Sequence, residues 1–315
     1  MREEILPFMY ETALFYRDYV TEENGILRIY PSLSPENSPA TLRNATTEAC
    51  GAIVQNSTMD FAIMKELLTN LLTGMEITGL YQEDAESFRN LLEKIPAYQI
   101  NEDGAVKEWM HPDIGENYHH RHLSHIYPVF PGNEVTAYNA PELFGAFKQA
   151  VLLRKLGSQS GWSLTHMANI YARMGEAEQA LKCLDIMVKG VVMSSLLTTH
   201  NDWRNMGITM TWNGECAEQL DANFGAVNAI QEMLFCWQKD ALAILPALPK
   251  RLESGSAHGL VFPEGTVDIC WTNDGVVTVT VKARREVHTN LLLCGVERCQ
   301  LILDAGESKT LRFTV

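Results

Sequence analysis

Positive charge is what this chain has least of: 25 Lys and Arg stand against 39 Asp and Glu, for a net charge of −14. Nucleic acid and anionic membrane surfaces need a basic footprint, so neither is expected as a partner, while a neutral sugar stays compatible. No apolar run approaches the roughly 20 residues that span a bilayer. The opening Met-Arg-Glu-Glu-Ile-Leu-Pro-Phe-Met has no uninterrupted apolar stretch of the kind a secretory leader carries. The seven cysteines (Cys50, Cys183, Cys216, Cys236, Cys270, Cys294 and Cys299) are odd in number, scattered, and form no C-x-x-C pair. That set reads as reduced, and a cytoplasmic location is expected, unless a leader belonged to a longer chain. A phosphate-cradling Gly-rich loop, G-x-S-x-G and H-E-x-x-H are also missing, so NTPase, α/β-hydrolase and zincin chemistry have no motif behind them.

What is present is a chain of 315 residues, 46% apolar, long enough to bury a sizeable core. Helical spacing runs to about Val20 through Met9, Phe15, Tyr16 and Tyr19, with Pro7 tolerable only near the helix start. Between Glu22 and Thr47 the chain is irregular, and Pro31-Ser32-Leu33-Ser34-Pro35-Glu36-Asn37-Ser38-Pro39 excludes a helix. Asn56 or Ser57 then caps a long helix, whose Met59, Phe61, Ile63, Met64, Leu67, Leu68, Leu71 and Leu72 predict burial on two sides. Further helices are expected over residues 84–95, 141–156, 161–174 and 176–197, with a loop-rich region at 96–132 and a Thr/Asn/Trp-rich loop at 198–219. The last helix is expected over residues 222–239, burying Phe224, Val227, Ile230, Leu234 and Trp237. The period then becomes two: Val277, Val279 and Val281 alternate with polar residues, and Asn273-Asp274-Gly275 signals a hairpin. The expected fold is mainly α with a C-terminal β module: helices over residues 1–240, then a small antiparallel, sandwich-like domain over residues 241–315.

Two carboxylates invite a chemical reading. Asp221, at the threshold of the last helix, is expected to be its N-cap, where backbone N–H groups and the helix dipole favour the ionised form. Glu36 lies on the proline-framed loop near Leu33, where shelter from water would suit a general acid. Each alone has a plain structural explanation, as a cap or as a solvated loop residue. Together they fit glycoside hydrolysis, which needs one protonated and one ionised carboxyl group. In the cluster His119-His120-Arg121-His122-Leu123-Ser124-His125, a helical turn would put His119, His122 and His125 on one face and allow a metal site. The loop-like surroundings and the fixed charge of Arg121 favour a sugar-binding edge instead, with Trp109 or Tyr127 as apolar platform. Backbone hydrogen bonding by His122 and His125 is the structural alternative. Trp203 is the better placed of two further platforms, Trp162 reading as core.

Taken in order, Pro31-Ser32-Leu33-Ser34-Pro35-Glu36-Asn37, Asn56-Ser57-Thr58-Met59-Asp60, Tyr98-Gln99-Ile100, Glu108-Trp109, Arg121-His122-Leu123-Ser124-His125-Ile126-Tyr127, Pro131-Gly132-Asn133, Gly161-Trp162-Ser163-Leu164, Asp221-Ala222-Asn223-Phe224-Gly225 and Leu245-Pro246-Ala247-Leu248-Pro249 resemble the α-L-fucosidases of glycoside hydrolase family 95. The resemblance spans nearly the whole chain. It implies part of an (α/α)6 barrel followed by the C-terminal β domain, and inverting hydrolysis of an α-L-fucoside, or a related α-L-galactoside, within an oligosaccharide or glycoconjugate, without metal or other cofactor. It implies Glu36 as general acid, Asp221 as the base-side carboxylate, and Arg121 and His122 as sugar-binding residues. Trp203 and Glu215 join them as candidate contacts, Glu215 standing where the family commonly has a histidine. It also implies that the family's N-terminal β domain, linker and first barrel helices, with an asparagine pair that holds the water, would precede Met1. A partner chain supplying that half, or self-association to cover apolar helix faces, is therefore expected. The alternatives are a catalytically silent carbohydrate-binding or structural remnant, and a disaccharide phosphorylase on a related barrel, for which no anion-binding loop speaks.

Overall fold

A computed structural model describes residues 1–42, 51–154, 159–207, 209, 216–238 and 241–315. The chain divides into two compact units, Met1–Gly157 and Ser158–Val315, each with its own elements.

In the first unit, α1 (Ile5–Tyr19) leads into the short strands β1 (Thr21–Glu23) and β2 (Ile26–Arg28), which pair antiparallel. The central helix α2 (Thr58–Thr78) packs against both α1 and α3 (Ala85–Glu93), and α4 (Pro141–Leu153) closes the unit. Phe61, Met64, Leu68, Leu71 and Met75 of α2 meet Leu6 and Ala13 of α1, Phe88 of α3, and Leu27, Ile29 and Met110 in one core. These positions recur at three and four, so they form one broad stripe. The two-sided burial expected for α2 is not what forms, because Glu66, Thr69, Asn70, Thr73 and Glu76 on its other side are exposed. Helix α2 ends on Gly79, whose φ of 73° is the left-handed cap that glycine adopts without a Cβ clash.

The second unit begins with α5 (Gly161–Arg173), α6 (Ala177–Gly190) and α7 (Leu220–Leu234). Helix α6 stops seven residues short of the expected end at Leu197: beyond it the chain turns back, Val192 bridges Thr198, and the Thr199 N–H donates to the Val191 carbonyl at 2.9 Å. Helix α7 turns the opposite way to expectation. Phe224, Val227 and Ile230 are 71%, 69% and 50% exposed, while Ala222, Ala229 and Met233 are buried. The cause is closeness of approach. A Cβ on Gly225 would lie 2.4 Å from Thr165 Oγ1 and 2.8 Å from Thr165 Cβ, so only the small-residue face of α7 fits against α5. The Asn169 amide seals that contact by donating to the Gly225 carbonyl at 2.9 Å, and Arg173 pairs with Glu232 across it. The large apolar residues are left as an exposed stripe, a feature of surfaces that bind something.

The β structure starts earlier than expected: β3 (Phe235–Gln238) takes over the last turn assigned to the helix. It pairs with β4 (Ala241–Ile244), and these join β8 (Val287–Leu293) and β9 (Val296–Leu303) in the order β3-β4-β8-β9. The second sheet runs β10-β7-β6-β5, from β5 (Gly255–Phe262), β6 (Gly265–Trp271), β7 (Val276–Ala283) and β10 (Ser308–Thr314). Val277, Val279 and Val281 of β7 point inward with Val267, Ile269, Leu291, Leu293 and Leu301, giving the sandwich core. The Asn273-Asp274-Gly275 turn joins β6 to β7 as expected, with Gly275 at φ 81°. One pairing departs from an antiparallel module: β4 runs parallel to β8, Leu242 beside Leu291.

Gly225→Ala is expected to destabilise the chain by about 1–3 kcal/mol through overpacking. The double variant Gly225→Ala/Thr165→Ala should recover only part of that loss in urea unfolding, since it removes Thr165 Oγ1 but leaves Thr165 Cβ 2.8 Å from the new methyl.

Candidate active site

The Glu36 loop is built by short-range chemistry. Ser34-Pro35-Glu36-Asn37 is a turn closed by the Asn37 N–H donating to the Ser34 carbonyl at 3.2 Å. Proline at its second position presets φ, and Glu36 at its third takes φ 53°, the sign that such turns reserve for glycine. A non-glycine residue costs about 1–2 kcal/mol there, so something other than backbone comfort keeps a glutamate at the tip. On one flank, Ser32 and Val54 exchange backbone hydrogen bonds at 2.8 Å.

The apolar shelter expected around Glu36 is not there. Its side chain is 45% exposed and meets polar partners instead: Arg121 Nη2 on Oε2, and His122 Nε2 at 3.2 Å from the same oxygen. His120 Nε2 donates to the Glu36 carbonyl at 2.8 Å, while its Nδ1 accepts the His122 N–H at 3.3 Å, which fixes a neutral tautomer. Burial pushes His120 down to about 4 and also lowers His122, where Arg121 adds to the effect. Both rings are therefore neutral donors and acceptors at pH 7. Residues 119–123 are not helical, so His119, His122 and His125 do not share a face. His119 is exposed and His125 buried. Instead Glu36, His120 and His122 offer three ligand atoms within 4.8 Å of one another. Arg121 already holds the Glu36 carboxylate, and its fixed charge opposes a cation there.

Beneath this polar edge lies a buried one. Glu108, with no side-chain exposure, accepts from Ser34 Oγ at 2.5 Å and Asn37 Nδ2 at 2.8 Å, the two residues that bracket Pro35-Glu36. Arg154, equally buried, donates to the same carboxylate at 2.9 Å and to the Asn117 carbonyl at 2.8 Å. Asn117 returns to the loop through Asn37 Oδ1 at 2.9 Å and the Ser38 carbonyl at 3.1 Å. Burial alone would raise Glu108, but the Arg154 charge and the hydrogen bonds outweigh it and bring it down to about 2. His125, 3.8 Å away, is lowered by burial to about 3 and stays neutral. Trp109 is fully buried beside Ala52 and Val54, so it is core and not the sugar platform expected. Tyr127 keeps partial exposure and donates to Glu66 at 2.5 Å.

In the second unit, Asp221 is exposed and is not the N-cap of α7. That position belongs to Gln219, whose Oε1 accepts the Trp162 N–H at 2.9 Å. Asp221 falls in the first turn, where the dipole still favours negative charge. The neighbouring Asn223 accepts from the Thr198 N–H at 3.1 Å and its hydroxyl at 2.8 Å, and donates to the Leu196 carbonyl at 2.8 Å. That ties the start of α7 to the preceding loop. Trp203 is 40% exposed, with the Arg204 guanidinium 4.6 Å from its ring centroid, so one face is already covered. Glu215 lies outside the described residues. Among the described residues, no helix is long and apolar enough to cross a membrane.

Comparison with known proteins now decides the family. Residues 1–234 match the glycosyl hydrolase family 95 catalytic domain. The chain belongs to that family. It is 28% identical to "Alpha-L-fucosidase 2" of Arabidopsis thaliana over 96% of this chain and 35% of that protein. It is 26% identical to "Probable alpha-fucosidase A" of Aspergillus oryzae over 88% of this chain and 38% of that protein. The chain thus spans little more than a third of the length of these relatives. A "Putative kojibiose phosphorylase from human microbiome" has a similar fold, with a TM-score of 0.57 at 10% identity, covering 98% of this chain and 46% of that one.

Sequence reasoning missed three residues of this family-95 chain. Glu108 was visible only as half of Glu108-Trp109, and Arg154, at the end of α4, gave no signal because nothing local marks it as the partner of a residue 46 positions earlier. The third is Glu116, whose two carboxyl oxygens accept the Glu108 N–H at 3.1 Å beside a cavity of about 580 Å³ lined by Asn101, Asp103, Lys107 and Tyr118. Burial raises it to about 7.

A carboxyl group raised on folding contributes stability that is complete below its unfolded value of about 4.5 and is lost as pH rises through about 7. Glu116→Gln should therefore gain about 1–3 kcal/mol relative to the parent between pH 5 and pH 8, read as the difference between their urea unfolding curves at the two pH values.

Proposed function

We propose that this chain is part of an (α/α)6 barrel with its C-terminal β domain, and that it carries both carboxylates of an inverting α-L-fucosidase site, Glu36 as the acid and Asp221 on the base side. The observation that bears most weight is Glu36: a glutamate at a turn position suited to glycine, solvent-accessible, with an arginine and a neutral histidine on its carboxylate. Strained, accessible, polar-partnered residues of this kind serve function more often than stability. Family membership supports the reaction, and the names of the relatives support the sugar. An α-L-galactoside, differing from the fucoside by one hydroxyl, is the nearest competing substrate.

In this reading Glu36 delivers its proton to the departing glycosidic oxygen as the C1–O bond breaks. Asp221 serves on the base side, accepting, directly or through a relay, the proton of the water whose oxygen forms the new C1–O bond. The reaction consumes one water and releases β-L-fucose and the free acceptor sugar. Arg121 and His122 hold the acid and donate to sugar hydroxyls. Trp203 and Glu215 stand as further sugar contacts, and the substrate is the fucosylated end of an oligosaccharide or glycoconjugate.

Incubation of the chain with fucosyl-lactose, followed by proton NMR, is expected to show β-L-fucose first, its anomer appearing only by mutarotation. Glu36→Gln should lower kcat by roughly 100- to 10,000-fold, and Asp221→Asn by a similar factor. Turnover of fucosyl-lactose by Glu36→Gln at the parent rate would remove the acid assignment.

A further inference from the structure

The loop that presents Glu36 is held from below by a residue that cannot touch a sugar. Glu108 is completely buried, yet it bonds Ser34 and Asn37, the first and last residues of the Glu36 turn, one to each carboxylate oxygen. Arg154 and Asn117 complete a closed circuit, Glu108 to Arg154 to Asn117 to Asn37 and back, with every step at 2.8–2.9 Å. No other group bonds both ends of the turn through its side chain among the described residues. We infer that Glu108, clamped by Arg154, is the positioning residue for the general acid: it holds the Ser34–Asn37 turn in the strained form that aims Glu36 at the scissile oxygen.

This rests on the reading of Glu36 as the acid, and two features make it more than packing. The turn is unfavourable for a glutamate, so an external restraint must keep it. Both carboxylate oxygens accept, Oε1 from Ser34 and Oε2 from Asn37 and Arg154, so an amide in its place loses one acceptor and the negative charge that Arg154 faces.

The test uses leaving groups of different need. Fucosyl-lactose requires a proton on its departing oxygen, whereas α-L-fucosyl fluoride departs as fluoride with little help from an acid. Ser34→Ala removes one end of the clamp and leaves the Glu108–Arg154 pair intact; Glu108→Gln removes its centre. Both are expected to lower kcat on fucosyl-lactose by roughly 10- to 100-fold, with KM changed by less than about threefold and fluoride hydrolysis close to parental. A merely structural role would depress both substrates together, and that result, or parental kcat on fucosyl-lactose in both variants, overturns the inference. Should Glu108→Gln fail to fold, Ser34→Ala decides alone. A parent inactive on both substrates would count against the proposed function, not against the clamp. Hydrogen exchange then judges the clamp: amides of residues 32–38 should exchange roughly tenfold faster in Ser34→Ala with α2 unchanged, and unchanged exchange in that segment would overturn it.

Discussion

The first unit depends on one buried ion pair. Glu108 and Arg154 have side-chain exposures of 0% and 1%, and neither charge would be tolerated there alone. Such a pair is favoured when its remaining donors and acceptors are filled, and here Ser34, Asn37 and the Asn117 carbonyl fill several of them, while the Arg154 Nε–H is buried without a partner among the described residues. The requirement runs in both directions. The loop needs the carboxylate to keep its strained turn, and the carboxylate needs the loop to remain charged in the interior. Chemistry at the surface and electrostatics in the core are thereby one arrangement.

Around that centre the polar edge is layered by charge state. Glu108 is held well below the ordinary carboxylate range and His125 and His120 well below the ordinary imidazole range, so neither ring competes with Arg154 or Arg121 for negative charge. Glu116 is the exception, raised towards neutrality by burial, with the Glu108 charge adding to the rise and the hydrogen bond from the Glu108 N–H opposing it. A site that keeps its cations few and fixed leaves uncharged hydrogen-bonding partners for a neutral ligand such as a sugar.

In the second unit the governing constraint is steric. Helix α7 buries Ala222 and Ala229 and sets Gly225 against α5 because Thr165 and Asn169 of α5 stand so close that only small residues pass. Spacing and hydrophobicity in the sequence favour the face that carries Phe224, Val227 and Ile230. Proximity chose the other face. The same helix gives way to strand at Phe235 because Phe235 and its neighbours complete the sandwich core with Ile244 and Leu242, a demand that no local pattern announces.

The sequence by itself determined the elements whose causes are local: the proline-framed turn that carries Glu36, the inward Val277, Val279 and Val281, the Asn273-Asp274-Gly275 hairpin, and the order of motifs that marks the family. Prolines, turn residues and two-residue alternation act over a few positions, so they are legible without coordinates. Tertiary structure alone decided which face of α7 is buried, that Gln219 and not Asp221 stands at its N-cap, that His120 and not His119 or His125 joins Glu36, and that Trp109 is core. It also decided that Glu108 and Arg154, far apart in the chain, share one carboxylate-centred circuit. Each of these is set by which distant groups approach and how much water they leave behind, and no spacing along a single chain records that.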